Sequence, residues 1–175
     1  MFQAFDNPGP GRPLSRAHWM ALLARAPIDI LEPALHDHAA LPARWLRAPE
    51  TGLMMVQGRA GGTGERFNLG EVTVTRCALR VEVDRADGGE PTVGVAYVLG
   101  RSHRQVQLAA LADALLQDPA RQAALDTGLL DPIRRHLAQA QSERQARAAS
   151  TRVDFFTVAR ESGSINDDGS EEDQE

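Results

Sequence analysis

The segment from Arg59 to Glu71 holds the strongest candidates for chemistry in this chain. It reads Arg-Ala-Gly-Gly-Thr-Gly-Glu-Arg-Phe-Asn-Leu-Gly-Glu, with four glycines and two arginines, between two segments that are typical of β-strands. Glycine adopts positive φ without steric cost and lets another surface approach the backbone closely. Each arginine offers a planar, permanently charged fork that suits phosphate or carboxylate. The pattern therefore indicates an anionic ligand or a closely packed partner.

Three interpretations of this segment are open from the residues alone: ligand contact, packing against a partner, or turn geometry. It is neither a P-loop nor a dinucleotide fingerprint, because no Lys-Ser/Thr follows the glycines, the glycine spacing differs, and a strand rather than a helix comes next. Within it, a threonine hydroxyl can donate a hydrogen bond and an arginine can hold an oxyanion. The candidate ligand-binding or interface residues here are Arg59, Gly61, Gly62, Thr63, Gly64, Glu65 and Arg66.

A second candidate anion site is Arg101. It follows Gly100 at the end of the last predicted strand, and Ser102 is a predicted N-cap for the helix that comes next. The N–H groups and dipole at a helix N-terminus attract anions. An ordinary strand-to-helix turn is the alternative, and without further information we favour it.

No residue of this chain is predicted to be catalytic, and no metal site is predicted. The chain contains no lysine, which excludes a Schiff-base lysine and a P-loop lysine. Cys77 lies in an apolar alternation that is typical of a core strand. His36 and His38 have no cysteine nearby and resemble a zinc pair only superficially. The remaining histidines, at 18, 103 and 136, are expected to be solvated.

Length and composition predict one domain with tails. The chain has 175 residues, 42% of them hydrophobic, and no apolar run approaches the ~18 residues of a membrane span. A single cysteine and the lack of a signal-like N-terminus favour the cytoplasm. We expect a flexible head at 1–15, a domain at 16–160 and a disordered acidic tail at 161–175. That tail holds seven acidic residues, which leaves 17 acids against 19 arginines elsewhere.

The predicted fold class is α+β. Four strands, at 45–48, 52–59, 71–83 and 92–99, are joined by short connections that favour an antiparallel meander. A parity change near Thr75 or Arg76 indicates a β-bulge or bend. Helices are expected at 16–26 with Ser15 as N-cap, at 102–117, at 118–128 opened by Asp118-Pro119, and at 131–149, the last one long and opened by Asp131 as an N-cap before Pro132. A second short helix is expected after Asp29 as its cap, with Pro33 interrupting its opening turn or shifting its start. After it, Phe155 and Phe156 form an aromatic patch that suits either the core or a subunit interface.

Seven pieces of the chain, taken in order, resemble the PhnG family of the bacterial carbon–phosphorus lyase system. The resemblance runs from about residue 16 to residue 160. Its pieces are Arg16-x-His18-Trp19-Met20, Glu50-Thr51-Gly52-Leu53, Arg59-x-Gly61-Gly62-Thr63-Gly64-Glu65-Arg66-Phe67, Gly70-Glu71 with Thr75-Arg76-Cys77, Tyr97-Val98-x-Gly100-Arg101, Asp113-Ala114-Leu115-Leu116-Gln117 and Val153-Asp154-Phe155-Phe156-Thr157.

The resemblance implies a subunit of a phosphonate-degrading complex. Members of the family act with PhnH, PhnI and PhnL to displace adenine from ATP by a phosphonate, which gives α-D-ribose 1-methylphosphonate 5-triphosphate. They also belong to a core assembly with PhnJ. The chemistry is placed on PhnI, so this chain is expected to be a non-catalytic component that binds no cofactor alone, with ATP as the co-substrate of the complex.

The residues and the resemblance together predict that the 61–64 loop packs against the catalytic subunit. Arg59, Arg66 or Arg101 is expected to help bind phosphonate or triphosphate, and Phe155 with Phe156 to form an interface. The alternative is a purely structural subunit without ligand contact. A nucleic-acid-binding domain is disfavoured, because aromatic residues are 5% of the chain and its globular part carries a charge of only about +2.

Overall fold

The structure is a computed structural model that describes residues 15–82 and 91–152. Helices precede and follow a single antiparallel sheet, which confirms the α+β class and the long C-terminal helix. The elements in chain order are α1 Arg16–Leu23, α2 Ile28–Ala34, a 3₁₀ turn His36–His38, β1 Ala43–Arg59, β2 Arg66–Val81, β3 Thr92–Leu99, α3 His103–Leu116, α4 Pro119–Leu125, a π-helical segment Asp126–Leu130 and α5 Asp131–Ser150.

The described residues form three strands, not four, in the order β1-β2-β3. The segments predicted as separate strands at 45–48 and 52–59 both belong to β1. Pro49 between them does not end the strand, because β1 lies at the sheet edge, where a missing N–H leaves no partner unpaired. The irregularity appears instead as a register shift between Arg47 and Glu50.

An irregularity is present next to Arg76, as predicted, in the pairing of β2 with β1. Arg47 pairs with Ala78 and Glu50 with Arg76, so the extra residue lies on β1, while β2 pairs with β3 in one continuous register from Val74 to Val81. The apolar parity of β2 has a further cause. Only the later part of β2 is covered by helices on one face, so alternation carries a core signal only from Thr75 onward.

Three predicted N-caps are present, and two are wrong. α2 begins at Ile28 after Pro27, so Asp29 lies within the helix and is not its N-cap. Ser15 Oγ accepts from the N–H of His18, Ser102 Oγ accepts from that of Gln105, and Asp118 does the same for α4. Asp131 is no N-cap, because the backbone is already helical through the π segment that precedes it. Its carboxylate pairs with Arg134 instead.

Helix α3 is the centre of the core, and every one of its residues from Leu108 to Leu116 is buried. The sheet covers one side of it and the other helices cover the rest, so α3 is apolar almost all round. At Gly94 the helix touches β3 so closely that a Cβ would lie 1.9 Å from the carbonyl oxygen of Ala110. Glycine is therefore required by packing at this position.

The carboxylate of Asp113, a buried residue of α3, joins three elements. Its Oδ2 accepts from Arg16 Nη2 of α1 at 2.7 Å and from the backbone N–H of Val95 in β3 at 2.9 Å. Its Oδ1 accepts from Trp19 Nε1 at 2.8 Å. A buried carboxylate is costly unless it is hydrogen-bonded or paired with a cation. The hydrogen bonds of Asp113 also connect α1 to the open edge of β3.

We predict that Gly94→Ala will destabilise the fold by at least about 3 kcal/mol, since neither the helix backbone nor the strand can yield without losing contacts. Gly52→Ala is the matched control in β1, because a Cβ there meets nothing within 4 Å, and it should change stability by less than about 1 kcal/mol. Urea unfolding of both variants measures the difference. Equal midpoints would contradict the close contact.

Candidate functional site

A two-stranded ribbon extends beyond the body of the sheet. β3 ends at Leu99, opposite Val74, and from there β1 and β2 continue as a pair on their own. We call residues 53–59 and 66–73 the ribbon and residues 60–65 its tip, and we call Arg59 and Arg66, which flank the tip, the tip arginines. At about 3.3 Å per residue the ribbon is roughly 23 Å long. The glycine-rich segment that stands out in the sequence therefore lies at the end of an arm.

Turn geometry accounts for three glycines of the tip. Gly61 and Gly62 have φ of 58° and 79°, a left-handed conformation that side chains with a Cβ rarely adopt. Gly64 donates its N–H to the carbonyl of Ala60 at 2.9 Å, and a Cβ on it would lie 2.7 Å from that same oxygen. These glycines are needed to close the ribbon, whether or not anything binds there.

The geometry of the turn does not explain the two tip arginines. Arg59 and Arg66 are register partners across the end of the ribbon. Within residues 15–82 and 91–152, no carboxylate lies at ion-pair distance from either guanidinium. Two adjacent cations without an acidic partner make this end of the ribbon electropositive and suited to an anion.

An open groove of about 670 Å³ lies beside these arginines. The side chain of Leu69 lies over Gly58, close enough that a Cβ there would come within 2.8 Å of Leu69 Cδ1. Val56 completes the apolar floor. The arrangement fits a group that has an apolar part and an anionic end. The groove lining consists of Val56, Gln57, Gly58, Arg59, Gly62, Arg66 and Leu69.

Arg101 is separate from the tip. It follows Gly100, whose N–H donates to the carbonyl of Thr73 at 2.9 Å, at the root of the ribbon. Arg66 lies seven residues further along β2, about 23 Å away by strand rise. The structure therefore brings Arg59, Gly62 and Arg66 together but not Arg101, while Thr63 and Glu65 are exposed on the tip.

A chain of hydrogen bonds fixes the root of the ribbon. The hydroxyl of the buried Thr75 donates to the carbonyl of Gly100 at 2.7 Å and lies 3.0 Å from the hydroxyl of Thr51. Thr51 in turn is hydrogen-bonded to the Nε2 of His103 at 3.2 Å. His103 is thus not merely solvated as the sequence suggested. The contacts tie β1, β2 and the start of α3 together where the ribbon begins.

A second, smaller groove of about 320 Å³ lies on the face of the sheet opposite α3. On it Glu50 accepts from Arg47 at 2.6 Å and from Arg76 at 2.7 Å. These hydrogen bonds lower the pKa of Glu50 and favour its charged carboxylate, although the side chain is about half exposed. Sequence reasoning did not assign this cluster, because only the strand register brings Arg76 to Glu50.

Neither a thiol nucleophile nor a metal centre is evident among the described residues. Cys77 is 1% exposed, and burial raises the pKa of its thiol to about 11. No group of three or more His, Cys, Asp or Glu side chains in this part of the chain is arranged to hold a metal ion. No helix of the described segments is both long and apolar enough to cross a membrane. Phe155 and Phe156, the head and the acidic tail lie outside the described residues, apart from Ser15.

Comparison with known proteins identifies the family of this chain. The family model described as "Phosphonate metabolism protein PhnG" matches residues 14–161. The chain belongs to the PhnG family. It is 38% identical over 148 residues to "Alpha-D-ribose 1-methylphosphonate 5-triphosphate synthase subunit PhnG" of Rhizobium meliloti (strain 1021), which covers 83% of this chain and 88% of that relative.

The sequence pieces that resemble the PhnG family lie at the structural points described above. Trp19 and Asp113 meet in the buried carboxylate network, although 94 residues separate them in the chain. Thr51 and Thr75 meet at the root of the ribbon. The glycine-rich piece forms the tip. Five of the seven pieces therefore specify how the arm is closed, anchored and attached to the core.

We predict that Cys77 will not react with a thiol reagent in the native protein at pH 8, because its thiolate is disfavoured and its sulfur is buried. The same thiol should react within seconds to minutes in 6 M guanidinium. Absorbance of released thionitrobenzoate measures both states. Fast labelling of the folded chain would contradict the buried assignment.

The ring of His18 predicts a loss of stability at mildly acidic pH. Burial lowers the pKa of His18 and the charge of Arg134 lowers it further, while Asp126 opposes the shift. The neutral ring is favoured in the folded state, so this stabilisation is present above the unfolded value near 6.5 and is lost as pH falls below it.

Denaturant titrations between pH 7.5 and pH 5 test this directly. The stability of His18→Gln should fall less over that range than that of the wild type. The control is His36→Gln, at an exposed position, which should follow the wild-type curve. Parallel curves for all three proteins would contradict a role for the His18 ring.

Proposed function

We propose that this chain is the PhnG subunit of an α-D-ribose 1-methylphosphonate 5-triphosphate synthase. The observation that carries the proposal is the 38% identity to a subunit of that name over 88% of its length. The match includes the tip, the root and the core network, so the features that shape this chain lie within the region of identity. The proposed role belongs to phosphonate catabolism.

In this role the chain works with PhnH, PhnI and PhnL in a transferase complex. The complex transfers the ribose triphosphate of ATP to a phosphonate and releases adenine. The chain also belongs to a core assembly that includes PhnJ. ATP is the co-substrate of the complex rather than a ligand of this chain alone. We place the complex in the cytoplasm, where ATP is available.

The contribution of this chain is positioning and charge, and another subunit carries the chemistry. Arg59 and Arg66 stand at the end of an arm of roughly 23 Å, which can reach an active centre built elsewhere. A triphosphate or phosphonate oxyanion offers the negative charge that no described residue brings to these guanidiniums. Their planar forks suit such oxygens better than a lysine would.

Reconstitution with one subunit left out tests the proposal. The other synthase subunits, ATP and methylphosphonate are mixed with and without this chain, and adenine release is measured by chromatography. Adenine should appear only when the chain is present. Equal release without it, or release by the chain alone, would overturn the proposed role.

We predict that Arg66→Ala will lower adenine release at least tenfold while the variant still co-purifies with the other subunits, because a lost charge-assisted contact to phosphate is worth about 1.5–3 kcal/mol. Arg80→Ala, at an exposed position of the same strand, is the matched control and should retain activity. Full activity of both Arg59→Ala and Arg66→Ala would favour the alternative, a purely structural subunit without ligand contact.

A further inference from the structure

The ribbon exposes large apolar side chains on both of its faces. Register with β2 places Leu53 and Met55 on one face and Met54 on the other. Leu53 is 66% exposed, and the other two are about half exposed. On β2, Phe67 and Leu69 are exposed as well. A patch that continues from one face to the other cannot be covered by a flat surface.

Such a ribbon is poorly stabilised by itself. A two-stranded pair with no covering layer is marginal in water, and exposed apolar patches of this kind mark interaction sites. Residues 53–73 comprise about 20 residues, which is the number that one side of a stable protein interface provides. The ribbon is therefore large enough to be an interface by itself.

A second copy of this chain fits the ribbon badly. Two-fold pairing along the edge of β1 would run the two strands antiparallel. Centred near Thr51, that pairing places Arg59 of one copy next to Arg44 of the other. Like charges opposite each other destabilise a strand pair. The partner must instead bring apolar surface and negative charge.

We infer that the ribbon inserts into a cleft on another subunit of the synthase, with apolar walls against both faces and the bound triphosphate or phosphonate in front of the tip arginines. The inference rests on the proposed function, since it names the surface by which the chain joins that complex. Insertion covers both faces at once, and the rigid root at Thr51 and Thr75 holds the ribbon in a fixed direction for it.

Two exposed leucines provide a matched test. Leu53 on the ribbon is 66% exposed, and Leu99 at the end of β3 is 69% exposed. Leu53→Ser should weaken binding to the other synthase subunits by tenfold or more, and Leu99→Ser by less than threefold, as measured by biolayer interferometry. Circular dichroism melts confirm that both variants fold. Equal weakening, or none for Leu53→Ser, would overturn the inference.

Hydrogen exchange gives a second, independent readout on the wild-type chain. Amides of residues 53–59 and 66–73 should exchange quickly in the isolated chain and at least tenfold more slowly in the complex. Unchanged exchange in a complex that forms would overturn the inference but leave the proposed function intact. Slow exchange with a dimeric isolated chain, reversed by Leu53→Ser, would assign the ribbon to a second copy instead.

The two proposals fail in different ways. Excess Leu53→Ser should restore adenine release, because the substitution weakens docking and leaves the tip arginines in place. Excess Arg66→Ala should not. If the wild-type chain neither binds the other subunits nor supports adenine release, the proposed function fails and the cleft inference fails with it.

Discussion

The buried carboxylate of Asp113 is the interaction on which the rest of the structure depends. A charge removed from water is costly unless it is paired and hydrogen-bonded, and here Arg16, Trp19 and the N–H of Val95 supply those partners. Because the donors come from α1 and from the open edge of β3, one side chain sets the position of the first helix against the sheet. It also occupies a backbone group that another strand would otherwise pair with.

The position of β3 at the edge of the sheet determines where the ribbon begins. β3 is closed at Val93, whose carbonyl accepts from Gln117, and at Val95. β1 and β2 extend beyond the end of β3, and the hydrogen bonds of Thr75 fix the direction of this extension relative to the rest of the sheet. The arm is therefore an extension of the core sheet with a defined root, which suits a part that must place two guanidiniums at a distance.

The glycines and the arginines of the glycine-rich segment have different structural meanings. A glycine-rich string between strands indicates close approach by something, and in this chain much of that approach is the backbone of the turn itself, as at Gly64 against Ala60. Arg59 and Arg66, which have no carboxylate at ion-pair distance within the described part of the chain, are the residues that indicate an external anion. The resemblance to the PhnG family, carried by seven short pieces in order, identified a role that neither feature implies by itself.

The sequence by itself determined the element types, the caps at Ser15, Ser102 and Asp118, and the candidate loop, because caps and turns depend on residues within a few positions of one another. It did not determine that β1 runs through Pro49, that Glu50 meets Arg76, or that Arg101 lies far from Arg66. Those facts follow from strand register and from where β3 stops. Both are decided by long-range packing against α3, for which Gly94 must leave room.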